Sequence, residues 1–229
     1  MADFDLGSHV FLVSTSSNEA QRFFDLGLNW CFGFNQEEGL ACFKAAAALD
    51  PACAMLQWGI AYAAGPFYNM PWCDFSEVEA TECTAFCRGH IDQALALSDG
   101  ATALEAALIR ALAQRIQKPQ PVSQAEFDAW DDAYADAMRK VNSDFPGDQD
   151  VMALFVEAMM TRNPWDLWDV KKGCPTEGAD TLEAIGLCEQ AIILADRLGE
   201  AQHPAILHLH IHLLEMSPEP EKAIDSADR

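Results

Sequence analysis

The chain has 229 residues, half of them apolar, with 14 basic against 36 acidic side chains and a formal charge of −22. Such a surface repels phosphate backbones and anionic lipid, which argues against nucleic acid or a membrane surface as partner. No apolar run approaches the ~20 residues that span a bilayer, and the opening Met-Ala-Asp-Phe-Asp lacks the basic stretch and apolar run of a secretory signal. A cytoplasmic protein is therefore expected, with its eight cysteines as thiols.

Residues 1–16 read as an extended lead-in, and 17–229 as one helical domain. Ser17 or Asn18 caps a first helix with Glu19 close behind. Gly33-Phe34-Asn35 ends it with a C-terminal glycine and a turn residue. A second helix runs from Glu37 to Leu49, favoured by Ala45-Ala46-Ala47-Ala48 and closed by Asp50-Pro51.

Within these helices Phe23, Leu26, Gly27 and Trp30 stand at relative spacings 0, 3, 4 and 7, followed by Gly39, Phe43, Ala46 and Pro51. Those are the offsets of a tetratricopeptide (TPR) unit, two antiparallel helices that close on small residues and fill the gap with aromatics. One such hairpin cannot bury its own apolar face, so neighbours must stack on it. Gly39 stands where an alanine is usual, a weakening of about 0.5–1 kcal/mol for an isolated helix.

A third helix is expected over Cys53–Ala64. Gly65-Pro66-Phe67-Tyr68-Asn69-Met70-Pro71-Trp72 then interrupts the pattern. Its two prolines and three aromatics describe an ordered insertion, folded onto the core or gripping a ligand. Glu77–Leu97, Ala101–Ile116 and Gln124–Val141 follow as amphipathic stretches, the last after the hinge Lys118-Pro119-Gln120-Pro121. Another helix begins at Asp148. Asn163–Trp168 and Lys171–Pro175 form a second aromatic insertion, and Ala179–Leu198 returns to helix. No strand pattern and no Gly-rich phosphate loop is present. The expected fold is all-α, an irregular TPR-like solenoid of helical hairpins with two aromatic and Pro-rich insertions.

Four of the six histidines fall between His203 and His212. As a strand, His208, His210 and His212 would share one face. As a helix, His208, His212 and Glu215 lie within about 60° of one another and His210 falls opposite. Pro204 suits a first helical turn, which favours the helix. Two imidazoles one turn apart with a carboxylate form a ligand set for zinc or non-haem iron that leaves coordination positions open. The same trio can equally be a hydrogen-bonded polar seam. His9 and His90 are further ligands by residue type alone. Cys83 and Cys87 share a helix face, either as small core residues or as a two-ligand metal site. No activated nucleophile is identifiable.

Phe24–Glu38, Ala52–Tyr62 and the stretch His203-Pro204-Ala205 with Leu207-His208 and Ile211–Glu215 are similar to segments of microbial tetratricopeptide-repeat domain proteins with a C-terminal histidine-rich helix. The resemblance covers nearly the whole chain and implies an all-helical repeat fold without a settled activity. Relatives of this pattern continue past this point, so the resemblance implies a shortened chain. Two functions of different class follow, the first being the main reading, beside a purely structural or regulatory role for a truncated product. The first is a scaffold that binds a protein or peptide partner. The second is a metal-dependent enzyme, hydrolytic or oxidative, built on His208, His212 and Glu215.

Overall fold

The computed structural model describes residues 5–229. It is mostly helical and divides into two compact units. The first holds the chain up to Gly65 together with Glu77–Pro121. The second holds Pro66–Ser76 and Val122–Arg229. The first aromatic insertion therefore belongs to a different unit from the helices on either side of it.

The first unit contains α1 (Asn18–Phe32), α2 (Gln36–Leu49), α3 (Ala54–Ala64), α4 (Glu77–Leu97) and α5 (Ala103–Arg115). Each start has a local cause. The Ser17 hydroxyl accepts from the Ala20 N–H, the Asn35 side chain from Glu38 N–H, and Thr102 with Glu105 forms a reciprocal capping box. At the end of α1 the left-handed residue is Phe34 (φ 58°), whereas Gly33 stays at φ −92°. The glycine thus occupies the cap without supplying the turn's unusual conformation. Each helix packs on its sequence neighbour, and α3 also meets α1 and α5. Ala54 to Ala63 are all buried, as befits a helix apolar on every side.

Phe43 locks three of these helices together. Its ring is fully buried and edge-on to Phe24, with centroids 5.3 Å apart. A Cβ added at Gly59 of α3 would lie 2.5 Å from the ring, and one at Gly27 of α1 2.9 Å from it. A Cβ at Gly39 would meet Cys31 Sγ at 2.5 Å and the Gly27 carbonyl at 2.9 Å. Gly39, a penalty in an isolated helix, is what lets α1 and α2 touch. The aromatics that fill this gap are Phe24 and Phe43. Phe23 and Trp30, which carried the spacing pattern, are only half-buried.

The lead-in is stitched to this unit. Phe11 is buried, and its N–H donates to Asp25 Oδ1 at 3.2 Å. Ser14 gives both its N–H and its hydroxyl to the buried Glu105 carboxylate, each at 2.5 Å.

The second unit contains α6 (Gln124–Asp144), α7 (Gln149–Arg162), α8 (Thr181–Leu198), α9 (Pro204–Leu214) and the short α10 (Ile224–Asp228). It also holds a minimal antiparallel pair, β1 (Trp168–Asp169) with β2 (Cys174–Pro175). That pair corrects the expectation of no strand, and its two-residue strands are too short to show alternation. Successive helices again pack in order, and α7 also meets α9. α7 is buried from Val151 to Thr161. Trp72 of the first insertion stacks on Phe127 (centroids 4.2 Å, 12° between planes) and meets Trp130 edge-on. Arg162 bridges Asp132 and Asp180, and Arg139 joins Asp136 and Glu183.

Gly59→Ala is expected to lower the unfolding free energy by about 1–3 kcal/mol through overpacking. Gly89→Ala, where nothing lies within 4 Å of the added Cβ, should instead stabilise helix α4 by about 0.5–1 kcal/mol. Denaturant titration of the two variants checks both signs.

Candidate functional site on helix α9

α9 is opened by an imidazole. His203 occupies the N-cap, and its Nδ1 accepts the N–H groups of Ala205 and Ile206 at 3.2 and 3.4 Å. That Nδ1 is therefore unprotonated, and Nε2–H donates to Asp150 Oδ1 at 3.1 Å. Pro204 follows at the first helical position, where its missing N–H costs nothing. Leu209 and Leu213 turn inward and are buried, while His208 and His212 are half-buried on another side of the helix.

His210 lies on the inward side, within 2.8 Å of Ser226 Oγ of α10 through its Nδ1. Its Nε2 is buried without a hydrogen-bond partner. Burial pushes the His210 pKa down, partly countered by Glu189, and the ring is held neutral.

The helix brings His208, His212 and Glu215 together in series. His212 Nε2 is 3.0 Å from His208 Nε2, and His212 Nδ1 is 2.8 Å from Glu215 Oε1. An ionised carboxylate only accepts, so His212 carries a proton on Nδ1. Its Nε2 lone pair then faces His208. Glu215 thus meets the other ring nitrogen of His212, and the two Nε2 atoms face each other within hydrogen-bond distance.

Both insertions reach this helix. Tyr68 of the first is buried, with its ring 5.9 Å from that of His212 and 5.2 Å from Trp165 of the second. Trp165 is half-exposed, stands edge-on to His212 at 6.5 Å, and has a left-handed backbone (φ 59°). Trp168 Nε1–H donates to the Leu213 carbonyl at 2.7 Å and ties the second insertion to α9. Burial raises the Tyr68 phenol to about 12, with Glu215 adding to the rise against a Trp165 backbone hydrogen bond. It is a neutral hydrogen-bonding group at physiological pH.

His9 and His90 belong to the first unit. His90 Nδ1 lies 2.7 Å from Gln57 Oε1, and the His9 ring packs 5.8 Å from Phe32. Histidine spacing marked His208 and His212, but local sequence gave no sign that Tyr68 and Trp165 would flank them. Elsewhere, a cavity of about 220 Å³ in the first unit is lined by Ser14, Asp50, Cys53, Met55, Leu97 and Glu105, and the Asp50 and Glu105 carboxylates already receive Thr15 and Ser14. A larger cleft of about 710 Å³ borders β1 and β2.

Comparison with protein-family models, with curated proteins and with solved structures gives no match. The fold is that of a mostly helical protein in which the His208 and His212 rings lie side by side and Tyr68 and Trp165 meet His212. Among the described residues, no helix is long and apolar enough to cross a membrane.

The sign of the acid response follows from His210. A histidine whose folded pKa lies below its usual ~6.5 adds stability above that pH and loses it as pH falls through the folded value. His210→Gln, which cannot titrate, should flatten the loss of thermal stability between about pH 7 and pH 5. Melting curves across that range read the difference.

Proposed function

We propose that the chain is a TPR-like helical protein whose α9 holds a divalent transition metal ion, zinc or iron, between His208 and His212. The observation that carries this reading is the convergence of their Nε2 atoms at 3.0 Å. Metal–nitrogen bonds of about 2.0–2.1 Å place two imidazoles of one ion about 2.9–3.4 Å apart, depending on coordination geometry. Glu215 then acts through His212, as the carboxylate that fixes the ring's tautomer and raises its basicity. This differs from a three-ligand set of His208, His212 and Glu215, in which Glu215 would bind the ion itself.

Two protein ligands leave coordination positions open toward Tyr68 and Trp165. Such positions suit a hydrolytic or oxidative reaction beside the aromatic rings. Binding displaces the proton held between the two Nε2 atoms, so affinity rises with pH.

Elemental analysis of protein purified without added metal, followed by titration of the stripped chain with Zn²⁺, tests the reading. Near-stoichiometric metal in the unaltered protein is expected, with loss of that ion in His208→Ala and His212→Ala. Glu215→Gln should weaken binding about 10–100-fold. Equal metal content in all four proteins, or none in any, overturns it.

A second reading is supported by the Gly27–Phe43–Gly59 interlock, a close packing of successive helices that a TPR-like scaffold would use. It makes the chain a scaffold for a protein or peptide, with the acidic surface favouring a basic segment. Binding of such a peptide would then survive metal removal and the His212→Ala change.

A further inference from the structure

Cys83 and Cys87 stand one turn apart on α4, and their Sγ atoms face each other at 3.8 Å. Both are buried, Cys87 completely. Cys83 Sγ–H donates to the Ala64 carbonyl at 3.4 Å. Across from them on α5 is Arg115, itself 1% exposed. Its charge acts on Cys87, favouring the thiolate against the raising effects of the Cys83 contact and of burial.

Three chemistries are open to a buried pair of thiols. A disulfide is the poorest. It needs Cβ atoms about 3.5–4.5 Å apart, whereas residues one turn apart on a helix hold theirs at about 5–6 Å. A tetrahedral zinc site needs two further ligands. Among the described residues, no third His, Cys, Asp or Glu ligand atom closes on both sulfurs. An ion satisfied by two soft donors needs neither backbone distortion nor additional ligands. Metal–sulfur bonds of about 2.3 Å set the sulfurs at most about 4.6 Å apart, an opening of less than an ångström from the observed separation.

We propose that Cys83 and Cys87 form a two-coordinate site for a soft monovalent ion of the Cu(I) class. Thiolates select such an ion over hard cations. The step is a proton exchange without redox change: two S–H bonds break, two S–Cu bonds form, and two protons leave to solvent. Two thiolates and one Cu(I) carry a net charge of −1, toward which the positive charge of the buried Arg115 is favourable. Without that cation, a buried anionic complex would be costly. The site lies in the first unit and is independent of the imidazole pair on α9.

Anaerobic titration with Cu(I), in competition with bicinchoninate, tests it on the full chain. The exposed Cys73 and Cys174 are changed to Ser in every sample so that they do not contribute. The expected result is one Cu(I) per chain that is unaffected by His208→Ala with His212→Ala. Cys83→Ala and Cys87→Ala should each weaken it at least tenfold, and Cys188→Ala should not. X-ray absorption of the Cu(I)-loaded chain with both cysteines intact gives a readout that does not depend on how the alanine variants fold. Two sulfur neighbours and no nitrogen are expected. Equal Cu(I) retention without Cys87 sinks the proposal, as does a first shell containing nitrogen or more than two sulfurs.

Discussion

The contact on which the first unit depends is the Phe43 ring lying flush against two stretches of bare helix backbone. Dispersion between a ring and a surface without side chains falls off within a fraction of an ångström. The fit at Gly27 and Gly59 is therefore all-or-none. Because the ring comes from α2 and its seats from α1 and α3, one side chain sets the spacing of three helices. The extended aromatic series, Phe24 against Phe43 and Trp58 stacked on Tyr62 at 4.9 Å, continues that arrangement along α3. Helix pairs of this kind owe their angle to where small residues fall. Their stability comes from the apolar face the next helix covers.

In the second unit, the same logic places polar groups. α7 is buried on all sides, so α8 and α9 pack around it and turn their polar residues outward or toward one another. His210 faces in and stays neutral, while the His212 ring meets Tyr68 and Trp165 of the two insertions. A single helix thus carries imidazoles in two dielectric settings, separated by a rotation of the backbone and by nothing else.

Helix positions were legible in the sequence because caps and breaks act locally. Ser17 and Pro204 mark starts that depend only on the adjacent few residues, whereas Asn35, read as a turn residue, is in fact the N-cap of α2. The histidine spacing was legible for the same reason, since i and i+4 share a face in any helix. What could not be read was anything set by tertiary approach. The choice of Phe24 over Phe23 as filler is decided by which side of α1 meets α2, and spacing alone allows either. The seating of Tyr68 and Trp165 against His212 joins segments far apart in the chain. Glu215 shows a finer limit: helical spacing places it near His212 but does not say which ring nitrogen it meets. The β1–β2 pair stayed hidden because its register is fixed by the Gly173 turn (φ 65°), not by alternation.

Glu105 gathers Ser14 from 91 positions earlier while its own capping box opens α5. The amino-terminal segment is thereby clasped to the fifth helix, and the first unit becomes a closed loop rather than a row with a loose end. Unzipping from that side must expel a buried carboxylate's two donors before α1 can peel away. One glutamate thus holds a segment from which it is remote in the chain.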